Sequence, residues 1–423
     1  MMKKQEGRPL GTRERLLWLL DQQRPVHFTM AAEITATFTT NQWLRALHAV
    51  QQQHPLLSVG IQINSSNAPE FKFEYGRIIP LKIVKTATPD AWVSELEQDT
   101  VQRFDSTCAP LMRAAVYESD NQSVIALTAH HAISDGRSLS FVLRDLLNAI
   151  DGKIAPAYDM PPSMDSYTEK SRNAANEIAV DKEIINGFKE QPPKAWPKPQ
   201  IQLLALSEEL SSQVIKRSKE EHTSVHGTLS AALVWANKSW KSNPISIYSP
   251  VSVRETVGAE ETTSVFITGR TVPFDINVSK SFWDTARDAK YALAGANSLD
   301  FLSVFNQALL EFISTIHNWS DIANFVNTKL AHDFLLSNLG SLPFSSHYGQ
   351  FTLKSIWGPF LLPGSENSYS LGVATINGSI RLTLTSLGDT ELKPILEGLK
   401  DILQEQTAYD LSNGDDSDCL HCK

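Results

Sequence analysis

Residues 126–141 read ALTAHHAISDGRSLSF. An apolar run ends in His130 and His131, and Asp135 and Gly136 follow at once. If 123–131 is a strand, its side chains alternate between two faces. Ile125, Leu127, Ala129 and His131 then share one face, and Val124, Ala126, Thr128 and His130 share the other. The two imidazoles therefore cannot do the same job. Past them the chain must turn. Gly136 is expected to supply backbone freedom there, and Ser138 to cap a helix with Leu139, Val142, Leu146 and Ile150 along one side. A strand-end imidazole followed by a carboxylate suits a general base with an orienting charge, because the ordinary histidine pKa of about 6.5 lies close to neutral pH. Residue type alone leaves a second reading open: two core histidines and a common Asp-Gly turn.

The rest of the chain narrows the classes. With 423 residues, 42% of them hydrophobic, it can bury the core of two domains. Its formal net charge of −9, without a basic block, argues against nucleic acid as a partner. Three cysteines (Cys108, Cys419 and Cys422) make a disulfide framework unexpected and fit a reducing cytoplasm. The opening MMKKQEGRPLGTRERLLWLLDQQRP has no signal-peptide core, and no run of about 20 apolar residues could span a membrane.

Periodicity gives a mixed α/β chain. Thr12 is expected to cap a short helix that ends at Pro25, HFTMAAEITATFT reads as a strand, and Thr40 opens a helix closed by Pro55. LMRAAVYES and SVIALTAHH form an antiparallel pair around DNQS. PPKAWPKPQ, residues 192–200, has four prolines in nine positions, which marks 181–200 as a linker. The preceding polar stretch from Glu169 reads as a surface helix. Beyond the linker, helices and strands resume: ISIYSPVSV, RTVPFDINV, FLLSNLG, GQFTLKSIWGPF, SYSLGVATING and SIRLTLTS are strands, and LKPILEGLKDILQEQ is a closing helix. The expected organisation is a lobe over 1–180, the linker, a lobe over 201–410 and a disordered acidic tail over 411–423.

The full pattern His-His-x-x-x-Asp-Gly after an apolar strand resembles the signature of the CoA-dependent acyltransferase superfamily. That superfamily holds chloramphenicol acetyltransferases, nonribosomal condensation domains, alcohol O-acetyltransferases and mycobacterial polyketide-associated acyltransferases. LGTRERLLWLLDQQRPVHFTMAAEI is similar to its opening helix and first strand, and LRALHAVQQQHPLL to a helix ending in His-Pro-x-Leu. RFDSTCAPLMRAAVY, RSKEEHTSVHGTLSAALVWA, SPVSVRE and LLSNLGSL fall in the family's order. The match covers roughly residues 8–410. The Asp-Phe-Gly-Trp-Gly motif of the plant branch is absent, and SIWGPF is no equivalent.

The resemblance implies two chloramphenicol-acetyltransferase-like lobes packed as a pseudo-dimer around an interface tunnel. It implies His131 as the base that takes a proton from an acceptor hydroxyl or amine, and direct attack on an acyl thioester without an acyl-enzyme. Asp135 would be structural and pair with Arg254, whose other reading is a surface arginine. His130 would support the loop, and Gly136 would give substrate close access. Ser337 and Asn338 match the place of an oxyanion donor, or form a strand-end turn. The donor would arrive as acyl-CoA or on a phosphopantetheinyl carrier protein, since no carrier segment stands in the chain. The expected reaction is ester formation in secondary-metabolite or lipid synthesis. Amide formation and a non-catalytic binding descendant are the alternatives.

Two other constellations carry less. His222 and His226 of HTSVH have a helix spacing that can bind zinc, but no glutamate base or third ligand accompanies them, and Thr-Ser-Val suits a helix start. Cys419, His421 and Cys422 lack a second ligand pair. No metal and no permanently bound cofactor is expected.

Overall fold

The computed structural model describes residues 7–168, 196–237 and 243–408, apart from 89, 260, 278 and 366. The polar stretch from Glu169, most of the 181–200 linker and the 411–423 tail with its Cys-Leu-His-Cys run lie outside these residues.

The fold is mixed α/β, with three sheets. A small sheet joins β1 (Arg8–Pro9), β4 (Pro69–Phe73) and β3 (Val59–Ile63) in that order. A five-stranded sheet runs β12 (Leu353–Leu361), β2 (Phe28–Ile34), β7 (Gln122–Ala129), β6 (Met112–Ser119), β5 (Leu81–Lys85). A six-stranded sheet runs β10 (Ile267–Phe274), β9 (Ile245–Ser252), β11 (Phe334–Ser341), β13 (Tyr369–Ile376), β14 (Ser379–Leu387), β8 (Pro199–Ala205). Parallel pairs (β5 with β6, and β11 with both β9 and β13) sit among antiparallel ones.

The alternation read from the sequence holds along β7. Ile125, Leu127 and Ala129 enter the largest core. Val124 and Ala126 pack on the other face with Tyr117, Trp357, Phe360 and Trp92, which opens helix α3 (Trp92–Thr100). Helix α4 (Gly136–Ile150) buries Leu139, Val142, Leu143, Leu146, Leu147 and Ile150 in the largest core. Each such side chain contributes about 1.5–3 kcal/mol on burial, against about 1 kcal/mol for a cap. Packing therefore makes the helix, and the cap sets where it begins.

Two helix caps differ from the sequence reading. Asp135, not Ser138, caps α4: its Oδ1 accepts from the Ser138 N–H at 2.7 Å. Helix α2 (Thr40–Gln53) opens at Thr40 as read, with Thr39 as its cap. Gly11 rather than Thr12 occupies the cap of α1 (Thr12–Gln23), where the Glu14 carboxylate reaches back to the Gly11 N–H at 2.7 Å. The sequence pattern does not announce a helix at Leu299–Ser314, nor strand β8, whose first residues fall within the expected linker.

One connection positions the site. β12 leaves the C-terminal half and pairs antiparallel with β2, matching Leu361 to Phe28. Phe28 is also matched to Ala129 of β7. The largest core likewise takes Leu309, Ile313, Leu342, Phe351 and Ile376 from the C-terminal half. The division expected near residue 200 is thus crossed by a strand and by core side chains.

Candidate functional site

β7 ends at Ala129, and His130 still bonds its N–H to the Leu111 carbonyl at 2.9 Å. From there the two histidines diverge. His130 is fully buried; its Nδ1 accepts from the Ala132 N–H at 3.0 Å, so the proton sits on Nε2, 3.5 Å from Asp21 Oδ2. His131 turns to the opposite side, its ring tilted against Phe28 at 4.8 Å. Its Nδ1 donates to the Ser134 carbonyl at 2.8 Å. A carbonyl only accepts, so Nδ1 carries the proton and Nε2 keeps a free lone pair. Burial first, then the nearby Arg13 cation, lower the His131 pKa to about 4. The imidazole is therefore neutral at physiological pH.

Asp135 points away from this ring. Its Oδ1 caps α4, and its Oδ2 accepts from the Phe266 N–H at 2.8 Å. Arg254 is 6% exposed and lies 3.8 Å from Asp135 Oδ2, so it is no surface arginine. Its shorter bond runs to Ser138 Oγ at 2.6 Å, and Ser138 in turn donates to the Ser264 carbonyl. The guanidinium lies over the rings of Phe266 (4.8 Å) and Phe141 (5.4 Å). Arg254 stands at the start of a short helix, Arg254–Val257, just after β9. Two backbone N–H donors and one cation thus hold a fully buried carboxylate, and they tie the histidine loop to the chain entering β10.

Gly136 does not adopt the left-handed conformation, which corrects the expected use of its backbone freedom. What it lacks is bulk: a Cβ there would lie 2.7 Å from Leu339 Cδ2 of β11. Gly136 thereby lets the start of α4 meet the Ser-Asn-Leu-Gly strand. Ser337 and Asn338 lie within β11, where the register slips between Asn338 and Ser341. Asn338 Oδ1 accepts from the Gly340 N–H at 2.8 Å, which leaves the side-chain amide as a donor.

His131, Gly136, Ser337 and Asn338 all line one cleft of about 1170 Å³, its open mouth included. His130, Asp135 and Arg254 do not line it. Sequence reasoning missed its other polar walls: Arg13, Arg24, His27, Arg137, Tyr248 and His332. Only the position of Arg13 carried a signal, since with Leu17 and Leu20 it lies on one face of α1 at spacings of four and three, while Arg24 follows just past the helix's last residue. His332 bonds its Nδ1 to the Leu330 carbonyl at 2.6 Å and stacks on Tyr248, and burial followed by Arg24 lowers its pKa to about 4.

His222 and His226 do not share a helix face. His222 has φ 56° and precedes the cap Ser224, and His226 bonds Ser249 Oγ at 2.9 Å. Among the described residues no cluster of three metal-ligating side chains occurs, and no helix is long and apolar enough to cross a membrane.

A family model described as Condensation domain matches residues 15–301. The chain belongs to the condensation-domain family. Bacitracin synthase 1 of Bacillus licheniformis is 22% identical over 307 residues, which cover 67% of this chain and 6% of that protein. A linear gramicidin synthase of Brevibacillus parabrevis is 23% identical over 320 residues, 68% of this chain and 6% of that one. The chain thus spans a small fraction of the length of these curated relatives. Among solved structures, polyketide synthase associated protein 5 from Mycobacterium tuberculosis superposes with a TM-score of 0.65 at 15% identity, over 97% of this chain and 100% of that one. The first condensation domain of the CDA synthetase gives 0.69 at 13% identity, over 95% and 96%. An epimerization domain of tyrocidine synthetase B also shares the fold, at 0.62. The fold alone therefore leaves the reaction open, while the family is one of acyl-transferring enzymes.

Proposed function

We propose that this condensation-domain protein transfers an acyl group from a thioester to a hydroxyl acceptor, with His131 as general base. The observation that carries the proposal is the pinned imidazole: Nδ1–H is held by the Ser134 carbonyl, and the unprotonated Nε2 belongs to a ring that lines the cleft. Nε2 takes the proton as the acceptor oxygen attacks the thioester carbonyl carbon. A carbon–oxygen bond forms, and the negative charge moves to the carbonyl oxygen. Ser337 Oγ and the Asn338 amide are the donors offered to that oxyanion. On collapse the carbon–sulfur bond breaks, and the imidazolium returns the proton to the departing thiolate. Asp135, Arg254, His130 and Gly136 act as positioning residues that fix the loop carrying His131. The donor is an acyl-CoA or an acyl group on a phosphopantetheinyl carrier protein. No permanently bound cofactor enters the scheme.

A second reading, amide formation on an amine acceptor, draws support from the peptide-antibiotic synthases among the relatives. The ester reading follows the resemblance of the His-His-x-x-x-Asp-Gly pattern and its flanking motifs to the alcohol O-acetyltransferase and polyketide-associated branches. Offering an alcohol and its matching amine with one thioester, with product mass and free thiol followed together, separates the two. Ester as the main product upholds the proposal; amide as the main product replaces it with the second reading. We place the protein in a cytoplasmic route to a polyketide, lipid or peptide metabolite.

A further inference from the structure

The cleft walls carry an electrostatic bias opposite to that of the whole protein. The chain has a formal net charge of −9, yet no aspartate or glutamate lines the cleft, while Arg13, Arg24 and Arg137 do. Arg137 is engaged, donating to the Leu339 carbonyl at 2.9 Å. Arg13 makes a long hydrogen bond to the Tyr248 hydroxyl at 3.4 Å and lies over the Phe305 ring at 5.4 Å, and its buried Nε bonds nothing. Arg24 has no side-chain hydrogen bond and no ion pair among the described residues. It sits where the cleft meets a recess of about 390 Å³, open mouth included, lined by His332, Gly364, Ser365 and Ser368, again without a carboxylate. Nearby, His332 Nε2 is buried without a partner.

A half-buried arginine with no counter-charge beside it is costly to the free protein. Burial pushes the Arg24 pKa down to about 10, which still leaves it charged at neutral pH. An anion arriving with a substrate would supply the missing partner, and a guanidinium fork suits a carboxylate or phosphate. Between Arg13, whose field reaches His131, and Arg24 the wall of α1 presents Leu17 and Leu20. Arg24 stands just past the end of α1, eleven residues on from Arg13.

We propose that Arg24, at the junction of cleft and recess, is an anion-binding subsite that holds a carboxylate or phosphate of a substrate whose apolar body lies along Leu17 and Leu20 toward His131. The assignment rests on the acyl-transfer reading for its direction, but the anion site itself is testable without turnover. The probes are ω-hydroxydodecanoate, its methyl ester, glycolate and coenzyme A, each titrated calorimetrically into the full chain. The variants are Arg24→Gln, Arg24→Lys and Gly364→Ala. The last keeps the charge but places a Cβ 2.6 Å from Arg24 Nη1, forcing the guanidinium aside. Thermal melts check that each variant folds.

The long hydroxy acid is expected to bind at least tenfold more tightly than its ester and than glycolate. That preference should fall to near one in Arg24→Gln, shrink in Gly364→Ala and be largely restored in Arg24→Lys. If the Arg24 dependence instead appears with coenzyme A, the anion is the donor's phosphate. Turnover with acetyl-CoA and with the phosphate-free thioester of N-acetylcysteamine then differs in its sensitivity to the variants. If neither the hydroxy acid nor coenzyme A loses affinity in folded Arg24→Gln, the subsite is overturned. Tight, Arg24-dependent binding without thioester turnover would overturn the acyl-transfer reading and leave the anion site standing.

Discussion

The two ends of the cleft are built on opposite principles. At the His131 end the groups that hold the loop are paired nearby: Nδ1 with the Ser134 carbonyl, Asp135 with two backbone N–H groups, and Arg254 with Ser138. At the Arg24 end the guanidinium lines the cavity with no side-chain partner among the described residues, and His332 Nε2 is buried without one. A satisfied network holds one geometry, as chemistry at a fixed atom requires. An unsatisfied cation waits for something else to complete it. On the proposed function, the rigid end serves reaction and the incomplete end recognition.

The largest expected effect comes from removing the base. His131→Ala should lower kcat/KM by about 10²–10⁴-fold, with the melting temperature nearly unchanged because the ring is part-exposed. Steady-state rates and a thermal melt on the same sample check both halves. Next comes the loop's anchor. Asp135→Ala leaves two buried N–H donors and Arg254 uncompensated and should cost about 3–5 kcal/mol; Asp135→Asn keeps the cap acceptor and should cost less. Urea unfolding ranks the two, and equal losses would mean that the charge, not the cap, holds the loop.

Acidity offers a smaller contrast. With His131 held near 4, the acid limb of kcat/KM should lie well below the ordinary value of about 6.5. Because the Arg13 cation supplies part of the depression, Arg13→Gln should move that limb upward, though not fully, since burial is the larger cause. A pH–rate profile of both proteins tests the sign. Folding stability follows the same logic. His27, His131, His226 and His332 are all lowered to about 4. Between that value and about 6.5 the unfolded chain binds more protons, so stability is present above this window and is lost as pH falls through it. Asp165, raised to about 6 mainly by burial, opposes this over part of the range. Melting temperatures should therefore drop on net from neutral pH toward the lower end. The smallest effect is steric: Gly136→Ala forces Leu339 aside and should cost about 1–3 kcal/mol.

This division also explains what the sequence could disclose. The His131 end is legible because its partners are local: 130–138 contain the base, its carbonyl anchor, the capping carboxylate and the capped N–H. Even there the detail fails where a distant residue decides, as when Leu339 rather than backbone freedom accounts for Gly136. Strands β2, β7, β9 and β14 follow from alternation and turn residues. The destination of β12 does not, because pairing with β2 is settled by tertiary contacts some three hundred residues away in the chain. β8 hides behind the proline run. Arg24 and His332 carry no motif, and only the folded chain brings them to one recess.

The central claim is that the Nε2 of His131 drives thioester acyl transfer. Wild type and His131→Ala should be run side by side with acetyl-, medium-chain and long-chain thioesters, on CoA and on a carrier protein, against an alcohol and its matching amine. Free thiol and product mass are followed together. Wild type is expected to yield product and thiol in equal amounts, and the folded variant to lose at least a hundredfold in rate. Product forming equally well without the imidazole would contradict the claim and return the two histidines to a structural role.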